Sequence, residues 1–337
     1  MKNFKVGILG AGFGERVVLP CIEFVNNMKV KYIYCRNSKK IKNKENLKYV
    51  TNDYKKIFND KEINLIFIET PPYTHKKFLI ESIKHNKNVF CEKPLSGNLK
   101  DAKFMFGYVK NKKNFAFVNH QLRFHPNILK MRKLIKEGFL GKINYSTIEH
   151  HTNMIDEKNT ENWWFSRKSG GGQVLALGSH MIDLLFFLNG EIKKVKSMKG
   201  NFLKNKGNKR FLWKKKIDSF FSMICEFKNG SIGNINCSCI SSVDSGLNII
   251  VSGEKGTIKL NNFDKLVFEN SKGKSENISV KDSLRSEKTI GVNPWRTSLV
   301  KYLQHIVKHS DNRKKFLGAD FSQAFKTQII MDKIINN

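Results

Sequence analysis

The chain has 337 residues, of which 40% are apolar and 27% are charged. This composition indicates a globular protein of about two domains, at roughly 150 residues per domain. With only six prolines and 23 glycines, it excludes a collagen-like chain and a disordered chain rich in these residues. Basic residues exceed acidic residues by 32 charges, but only nine of the 61 basic residues are arginine.

This basic surplus raises the question of an anionic partner. Lysines are spread along the whole chain, whereas phosphate-binding surfaces favour the planar fork of arginine. We therefore expect no nucleic-acid partner, although a polyanion binder that rests on the charge alone stays open as an alternative. The positive field should still help anionic small molecules to associate.

The sequence carries no clear metal-binding or membrane-spanning pattern. Its six cysteines contain no CxxC pair, and no spacing of His, Cys or carboxylate residues is that of a metal site. The most apolar segment, residues 174–188, is interrupted by Ser179, His180 and Asp183, so we expect no transmembrane helix and no membrane partner. These features predict a cytoplasmic protein without a metal.

In chain order, the first third alternates short apolar runs with segments of helical periodicity. The apolar runs predict five strands, over residues 4–9, 30–35, 65–68, 88–91 and 115–118. Alternating strands and helices predict a parallel sheet with helices on its faces. We assign this α/β domain to residues 1–121.

The remaining residues, 122–337, show a different pattern. Helices are predicted from Pro126 to Gly138, over 179–188, and near 295–309 and 319–335. Longer strands are predicted over 145–151, 220–227, 231–240, 248–251 and 257–260, with turn signals such as Asn229-Gly230 between them. The pattern predicts an α+β domain with a large, mostly antiparallel sheet. The basic run 204–216 is interpreted as a solvated loop.

A glycine motif follows the first predicted strand and precedes a helix. Gly10, Gly12 and Gly14 enclose Ala11 and Phe13, in the context that a dinucleotide-binding turn requires. Gly10 would allow the tight turn, and Gly12 would let the backbone approach a pyrophosphate at the positive end of the helix. The third glycine of the full pattern would fall at residue 15, so a plain turn between strand and helix stays open.

The end of the second predicted strand bears on the choice of cofactor. An NAD site usually has Asp or Glu there, which hydrogen-bonds the ribose 2′-hydroxyl. This chain has Arg36 between Cys35 and Asn37, and arginine can bind a 2′-phosphate through two hydrogen bonds. We therefore predict NADP, with NAD possible. A solvated loop is the alternative interpretation.

Two further motifs follow predicted strands at the edge where parallel sheets bind ligands. They are Thr70-Pro71-Pro72-Tyr73-Thr74-His75 and Glu92-Lys93-Pro94. With the glycine turn, they resemble the Gfo/Idh/MocA family of nicotinamide-dependent oxidoreductases, which includes glucose-fructose oxidoreductase and inositol dehydrogenase. The resemblance implies a Rossmann domain and a catalytic role for Lys93. It also implies cofactor contacts from Gly10, Gly12, Phe13, Gly14, Thr70, Pro71, His75, Glu92 and Lys93.

The resemblance continues through the second half of the chain. The segment from Gly170 to Asp183 is similar to a substrate-domain motif of that family and places His180 at its catalytic histidine. The resemblance further suggests Arg123, Trp163 and Asp183 as substrate contacts, although Arg123 could instead form a salt bridge between domains. One residue departs from the family pattern, because Ala176 stands where the family usually has aspartate.

These features lead to two functional hypotheses. The first is an enzyme that transfers hydride between NAD(P) and a secondary alcohol or ketone of a sugar, cyclitol or sugar derivative, bound in the cleft between the domains. The second is a catalytically degenerate dinucleotide-binding regulatory protein, for which Ala176 is the main argument. The family resemblance also implies a homodimer or homotetramer.

Overall fold

The computed structural model describes residues 2–41, 43–153, 163–201, 217–286, 293–312 and 314–337. The basic run 204–216, with its predicted loop, therefore lies outside the described residues. The chain forms two compact units. The first contains Met1–His125 and Asp282–Phe325, and the second contains Pro126–Lys281 and Lys326–Asn337.

Strands and helices follow one another along both units. In chain order, the strands are β1 (Phe4–Leu9), β2 (Met28–Tyr34), β3 (Val50–Thr51), β4 (Leu65–Ile68), β5 (Asn88–Cys91), β6 (Ala116–Val118), β7 (Ile143–His151), β8 (Ile192–Gly200), β9 (Phe220–Phe227), β10 (Ile232–Ser238), β11 (Gly246–Gly253), β12 (Gly256–Asn261), β13 (Lys265–Asn270), β14 (Ser275–Asn277) and β15 (Ala319–Asp320). The helices are α1 (Ala11–Phe13), α2 (Leu19–Ile22), α3 (Tyr54–Asn59), α4 (His75–Lys84), α5 (Leu99–Val109), α6 (Pro126–Lys136), α7 (Ser179–Asn189), α8 (Pro294–His309) and α9 (Phe321–Asn336).

The first unit is built on a seven-stranded sheet with the order β15-β6-β5-β4-β1-β2-β3. Its strands are parallel except β15, which pairs antiparallel with β6. All four residues of β4 are buried, as expected for a parallel strand covered on both faces. This arrangement confirms the predicted Rossmann domain.

Helix α8 packs within this first unit, although it is distant in sequence from the six parallel strands of the sheet. Its Tyr302 is fully buried, and the phenol donates a hydrogen bond of 3.1 Å to the Val118 carbonyl at the end of β6. The ring also stacks on Phe124, with the two centroids 4.4 Å apart. The first unit therefore includes residues that follow the entire second sheet in the chain.

The second unit contains an eight-stranded sheet with the order β14-β13-β12-β11-β7-β10-β9-β8. Every neighbouring pair is antiparallel except β7 and β10, which run parallel. This confirms the predicted large and mostly antiparallel sheet. Strand β8 was not predicted, because its lysines and alternating exposure are those of an edge strand in contact with water.

Helix α7 lies in the interior of the second unit. Together with the residues before it, it belongs to a segment, Arg167–Asn189, that is long and apolar enough to cross a membrane. However, 94% of its most apolar window is buried inside the protein. Among the described residues, this segment therefore has the burial of a core helix.

Candidate functional site

The glycine turn leaves β1 at the carboxyl edge of the parallel sheet. Gly10 has a φ of 112°, and a Cβ built on it would lie 2.5 Å from the Glu69 carbonyl oxygen. Glycine is therefore required for this close approach. Gly12 is exposed, and a Cβ built there would meet nothing within 4 Å. The open backbone at the start of the helix fits the phosphate groups of a dinucleotide.

Two charged side chains stabilise this turn. Arg16 donates from Nε to the Gly12 carbonyl at 2.7 Å. Glu15, at the position of the missing third glycine, is buried and accepts hydrogen bonds of 3.1 Å from the Asn43 backbone and the Asn46 amide. Glu15 therefore connects the helix to the segment after β2, a role that the glycine pattern could not reveal.

Arg36 lies just beyond β2, near the point where the glycine turn is hydrogen-bonded to that strand. The Gly10 N–H donates to the Tyr34 carbonyl at 3.2 Å, two residues before Arg36. The Arg36 side chain is exposed and makes no hydrogen bond or ion pair with the described residues. Its guanidinium is therefore available to an anionic ligand.

Polar residues follow three adjacent strands of the same sheet edge. Glu69, Glu92 and Asn119 each come directly after the last residue of β4, β5 and β6. Their N–H groups donate to the neighbouring strands at 2.8–2.9 Å, so the three residues stay in register. The Asn119 amide donates to the Glu92 carboxylate, which makes the two side chains neighbours.

Lys93 is the residue after Glu92, and the peptide bond between Lys93 and Pro94 is cis. Burial lowers the pKa of Lys93 below its ordinary value, although the charge of Glu92 opposes this shift. Burial also raises the pKa of Glu92, against the charge of Lys93 and the Asn119 hydrogen bond. A lysine whose amine loses its proton more easily is suited to proton transfer or to polarising a substrate oxygen.

His75 joins the two loops that carry these motifs. It is fully buried, with Nε2 2.7 Å from the Thr70 carbonyl and Nδ1 3.2 Å from the Leu95 carbonyl. Burial lowers the pKa of His75, and a neutral imidazole has only one N–H to donate. The ring therefore makes one donated hydrogen bond and one close contact, and it positions Thr70 and Pro71.

Arg123 is only 2% exposed and is engaged inside the first unit. Its Nη1 donates to the Leu317 carbonyl at 3.2 Å and to Gln323 Oε1 at 2.9 Å. These bonds connect the chain after β6 to the segment around β15. These hydrogen bonds favour a structural role for Arg123, which the sequence analysis suggested as a substrate contact.

In the second unit, the triple glycine forms a turn packed against the tryptophan pair. A Cβ on Gly171 would lie 2.1 Å from the Trp164 carbonyl oxygen, and a Cβ on Gly172 would lie 2.6 Å from Asp218 Oδ1. Asp218 is 3% exposed, and its Oδ2 accepts a 2.6 Å hydrogen bond from the Val174 N–H. Asp218 also pairs with the Arg167 guanidinium. Partly buried Trp163 is thus held beside this turn.

A π-helical turn, Val174–Gly178, leads into α7. It contains Ala176, which is buried and contributes no polar side-chain group at the family's aspartate position. His180 and Asp183 lie in the first turns of α7, and each is 1% exposed. The structure therefore places His180, Asp183 and Ala176 on one continuous helical segment.

His150 of β7 is a buried histidine next to this region. It is paired in register with Cys237, whose sulfur accepts a 3.0 Å hydrogen bond from the Gln173 amide. Burial lowers the pKa of His150 to about 4, with His151 adding to this effect and Asp244 opposing it. Glu69, Asn119, Asp218 and Gln173 were missed by the sequence analysis, because only register and packing bring them to the motifs.

Two family profiles match the chain. One is described as an oxidoreductase family with an NAD-binding Rossmann fold and matches residues 4–120. The other is described as the GFO/IDH/MocA C-terminal domain and matches residues 128–259. The glycine turn and sheet edge thus belong to a dinucleotide-binding oxidoreductase. The chain is a member of the Gfo/Idh/MocA family.

Individual proteins show how far the similarity extends. Glucose-fructose oxidoreductase domain-containing protein 1 of Xenopus tropicalis is 23% identical over 337 residues, covering 95% of this chain and 85% of that protein. The scyllo-inositol 2-dehydrogenase (NADP(+)) of Bacillus subtilis is 27% identical over 196 residues, covering 58% of this chain and 54% of its own length. The solved structure of levoglucosan dehydrogenase with NADH has a TM-score of 0.84 at 20% identity and covers 99% of this chain and 96% of its own. At this identity the likeness shows the fold.

The buried His150 predicts a loss of stability in acid. A free histidine has a pKa near 6.5, so below that pH the unfolded chain binds a proton that the folded protein, with its value of about 4, does not. The contribution of His150 to the free energy of unfolding should therefore decrease by about 3 kcal/mol as the pH falls from about 6.5 to 4. Urea titrations across this range would measure the decrease.

The matched comparison uses two neighbouring variants. His150→Gln should remove about this much of the acid-dependent loss, whereas His151→Gln should remove only a small part of it, because burial is the main cause of the lowered His150 pKa and His151 the smallest. The half-buried His305, whose pKa is also lowered to about 4, should cause an acid-dependent loss of stability that persists in both variants. Equal slopes in the parent protein and His150→Gln would contradict the prediction.

Proposed function

We propose that the protein is an NADP-dependent dehydrogenase that acts on a secondary alcohol, or the corresponding ketone, of a sugar, cyclitol or sugar derivative. The observation that carries the proposal is the position of Lys93. It follows β5 on the same sheet edge where the glycine turn leaves β1, with only β4 between these strands. When bound, the dinucleotide supplies the nicotinamide ring that gives or receives hydride.

The chain's own residues have separate roles in this proposal. The backbone around Gly12 holds the phosphate groups, and His75 positions Thr70 and Pro71 beside them. Lys93 orients and polarises the substrate oxygen. His180 accepts or returns the hydroxyl proton, because imidazole is the side chain that most readily changes charge near neutral pH.

Substrate contacts are proposed for Trp163 and Asp183. Arg123 is proposed to support the site only by holding the chain after β6, because its guanidinium is bonded to Leu317 and Gln323. The sugar-like substrate class is supported by the names of relatives that act on levoglucosan and scyllo-inositol. Those names support both cofactors, since one relative is named for NADP(+) and one solved neighbour is bound to NADH. The exposed Arg36, which pairs with none of the described residues, is the feature of this chain that favours NADP.

Arg36 should determine the preference for NADPH. A charge-assisted hydrogen bond to the 2′-phosphate contributes roughly 1.5–3 kcal/mol, which is about 10- to 150-fold in affinity. NADPH should therefore bind more tightly than NADH, and Arg36→Ala should remove most of the difference. Fluorescence titration of both cofactors would measure it.

Lys29→Ala is the matched control, because it removes one exposed positive charge from the opposite end of the same strand. This variant should keep the preference. Binding of NADH equal to or tighter than NADPH by the parent protein would exclude the proposed cofactor.

Lys93 and His180 should each be needed for turnover. Positioned acid–base groups contribute about 10²–10⁴-fold to a reaction. With a substrate found by screening sugars and cyclitols for formation of reduced nicotinamide, Lys93→Ala and His180→Ala should each lower kcat by about 100-fold or more. Binding of NADPH should remain largely intact in both variants.

The same assay separates the enzyme from a second candidate. Ala176 leaves the buried π-helical turn without a carboxylate, which favours a dinucleotide-binding regulatory protein. Such a protein would bind NADPH and turn over none of these substrates. Parent-like turnover by both variants would instead show that the two roles belong to other residues.

We also propose that the open face of the second sheet joins two copies of the chain. Exposed apolar side chains share that face: Ile232 is paired in register with Tyr145, and Ile224 lies on the neighbouring strand opposite Asn234. Met198 of β8 continues the row. A contiguous exposed apolar patch of this kind is typical of a protein interface.

Ile224→Glu should dissociate the assembly. Burying an unpaired carboxylate costs several kcal/mol, so self-association should weaken about 100-fold or more. Sedimentation velocity at several concentrations would measure it. Val243→Glu, at an exposed apolar residue outside the strands, should leave the assembly intact, and a parent protein that is monomeric would contradict the proposal.

A further inference from the structure

Glu69 is an unusual residue for the sheet edge it occupies. It is 7% exposed, and both carboxyl oxygens are buried without a hydrogen-bond partner among the described residues. Its Cβ and Cγ lie against the glycine turn, 3.5 Å from a Cβ built on Gly14. A buried polar group without a partner is rare, and an ionised carboxylate in that state is very costly.

Its neighbour Glu92 has the opposite environment. Glu92 Oε2 accepts a 3.2 Å hydrogen bond from the Lys93 N–H, and its other oxygen accepts from the Asn119 amide. The charge of Lys93 also favours the ionised form of Glu92. The row therefore contains two adjacent carboxyl groups, but hydrogen-bond donors and a positive charge for only one of them, Glu92.

Two further described neighbours of Glu69 carry no positive charge. Cys91 ends the strand next to Glu69, and burial and the two glutamates raise the pKa of its thiol well above its ordinary value. The glycine turn presents Gly10 and Gly14, which have no side chain. Within the described part of the chain, Lys93 is therefore the positive group of this row, and it already faces Glu92.

We propose that Glu69 is a positioning residue for Lys93: it holds a proton, leaves Glu92 as the single carboxylate of the row, and so controls how readily the Lys93 amine gives up its own proton. Burial and the negative charge of Glu92 act on Glu69 in this direction and raise its pKa well above the usual range. The consequence for catalysis rests on the proposed role of Lys93. The arrangement of charges on Glu69, Glu92 and Lys93 does not depend on that role.

The effect of Glu69 on the Lys93 amine depends on pH. As the pH rises, Glu69 loses its proton, and the second negative charge then stabilises the Lys93 ammonium. Glu69→Gln has the same size and cannot acquire that charge. In this variant the Lys93 amine should lose its proton at a lower pH than in the parent protein.

The first measurement is competitive acetylation of the protein without cofactor or substrate, read by mass spectrometry of the peptide that contains Lys93. Exposed Lys100 serves as the internal reference. Near pH 9, the Lys93 rate relative to Lys100 should increase about three- to tenfold in Glu69→Gln, because one pKa unit corresponds to tenfold in the neutral amine. Glu69→Ala should give the same increase if charge, and not packing, is the cause.

The second measurement is thermal stability against pH. An acid whose pKa is raised on folding stabilises the folded state below its unfolded value of about 4.3 and loses that contribution as the pH rises. Glu69→Gln should therefore melt about 10 °C or more above the parent at pH 8 and match it near pH 4. Glu23→Gln, at an exposed glutamate of the same unit, should change neither measurement.

Each outcome decides the proposal. A larger Lys93 rate in Glu69→Gln, with a stability gain confined to higher pH, supports it. An unchanged Lys93 rate, or a rate that changes only in Glu69→Ala, overturns it, and so does a stability change that is independent of pH. Because neither measurement uses cofactor or turnover, failure of the proposed dehydrogenase activity would be seen separately.

Discussion

At the carboxyl edge of the parallel sheet, the residue after each of three strands still donates its N–H to the neighbouring strand. This holds for Glu69, Glu92 and Asn119, whose bonds are 2.8–2.9 Å long. The hydrogen-bond ladder therefore extends one residue beyond the strands and fixes the direction of the polar side chains. These hydrogen bonds position Lys93, which follows Glu92, and the glycine turn, which follows Leu9. The candidate chemistry of the first unit therefore depends on this ladder.

The second unit positions its candidate residues by close backbone packing. Gly171 and Gly172 have no room for a side chain against Trp164 and Asp218. Asp218 in turn accepts from the Val174 N–H at the start of the π-helical turn. The triple glycine is thus a packing requirement that determines where the segment leading to His180 begins.

Much of this organisation could be predicted from the sequence because its signals are local. The strands over 65–68 and 88–91 have the predicted bounds, since buried parallel strands are short apolar runs. The glycine turn and Glu92-Lys93-Pro94 were found because the chemistry needs those residues at fixed spacing.

The rest depends on contacts between distant segments. The burial of Glu69 beside Glu92 requires the register of two strands 23 residues apart, and no pattern along the chain records it. Asp218 reaches the triple glycine from 46 residues away and resembles any other polar residue in a loop. Strand β8 was not predicted, because its lysines and exposed side chains lack the apolar run by which the other strands were recognised, and only its pairing with β9 makes it a strand.

The strand β15 and helix α8 complete a unit whose first strand lies almost three hundred residues earlier in the chain. The rings of Phe117 and Phe124 are covered by Phe316 and Tyr302, and Phe117 lies on the last parallel strand. During synthesis, the ribosome must therefore release all strands of the second sheet before β15 and α8 can cover the β6 edge of the first sheet. Until then those rings and the free edge of β6 are open to solvent, so nascent-chain folding of the first unit has to wait for the far end of the polypeptide.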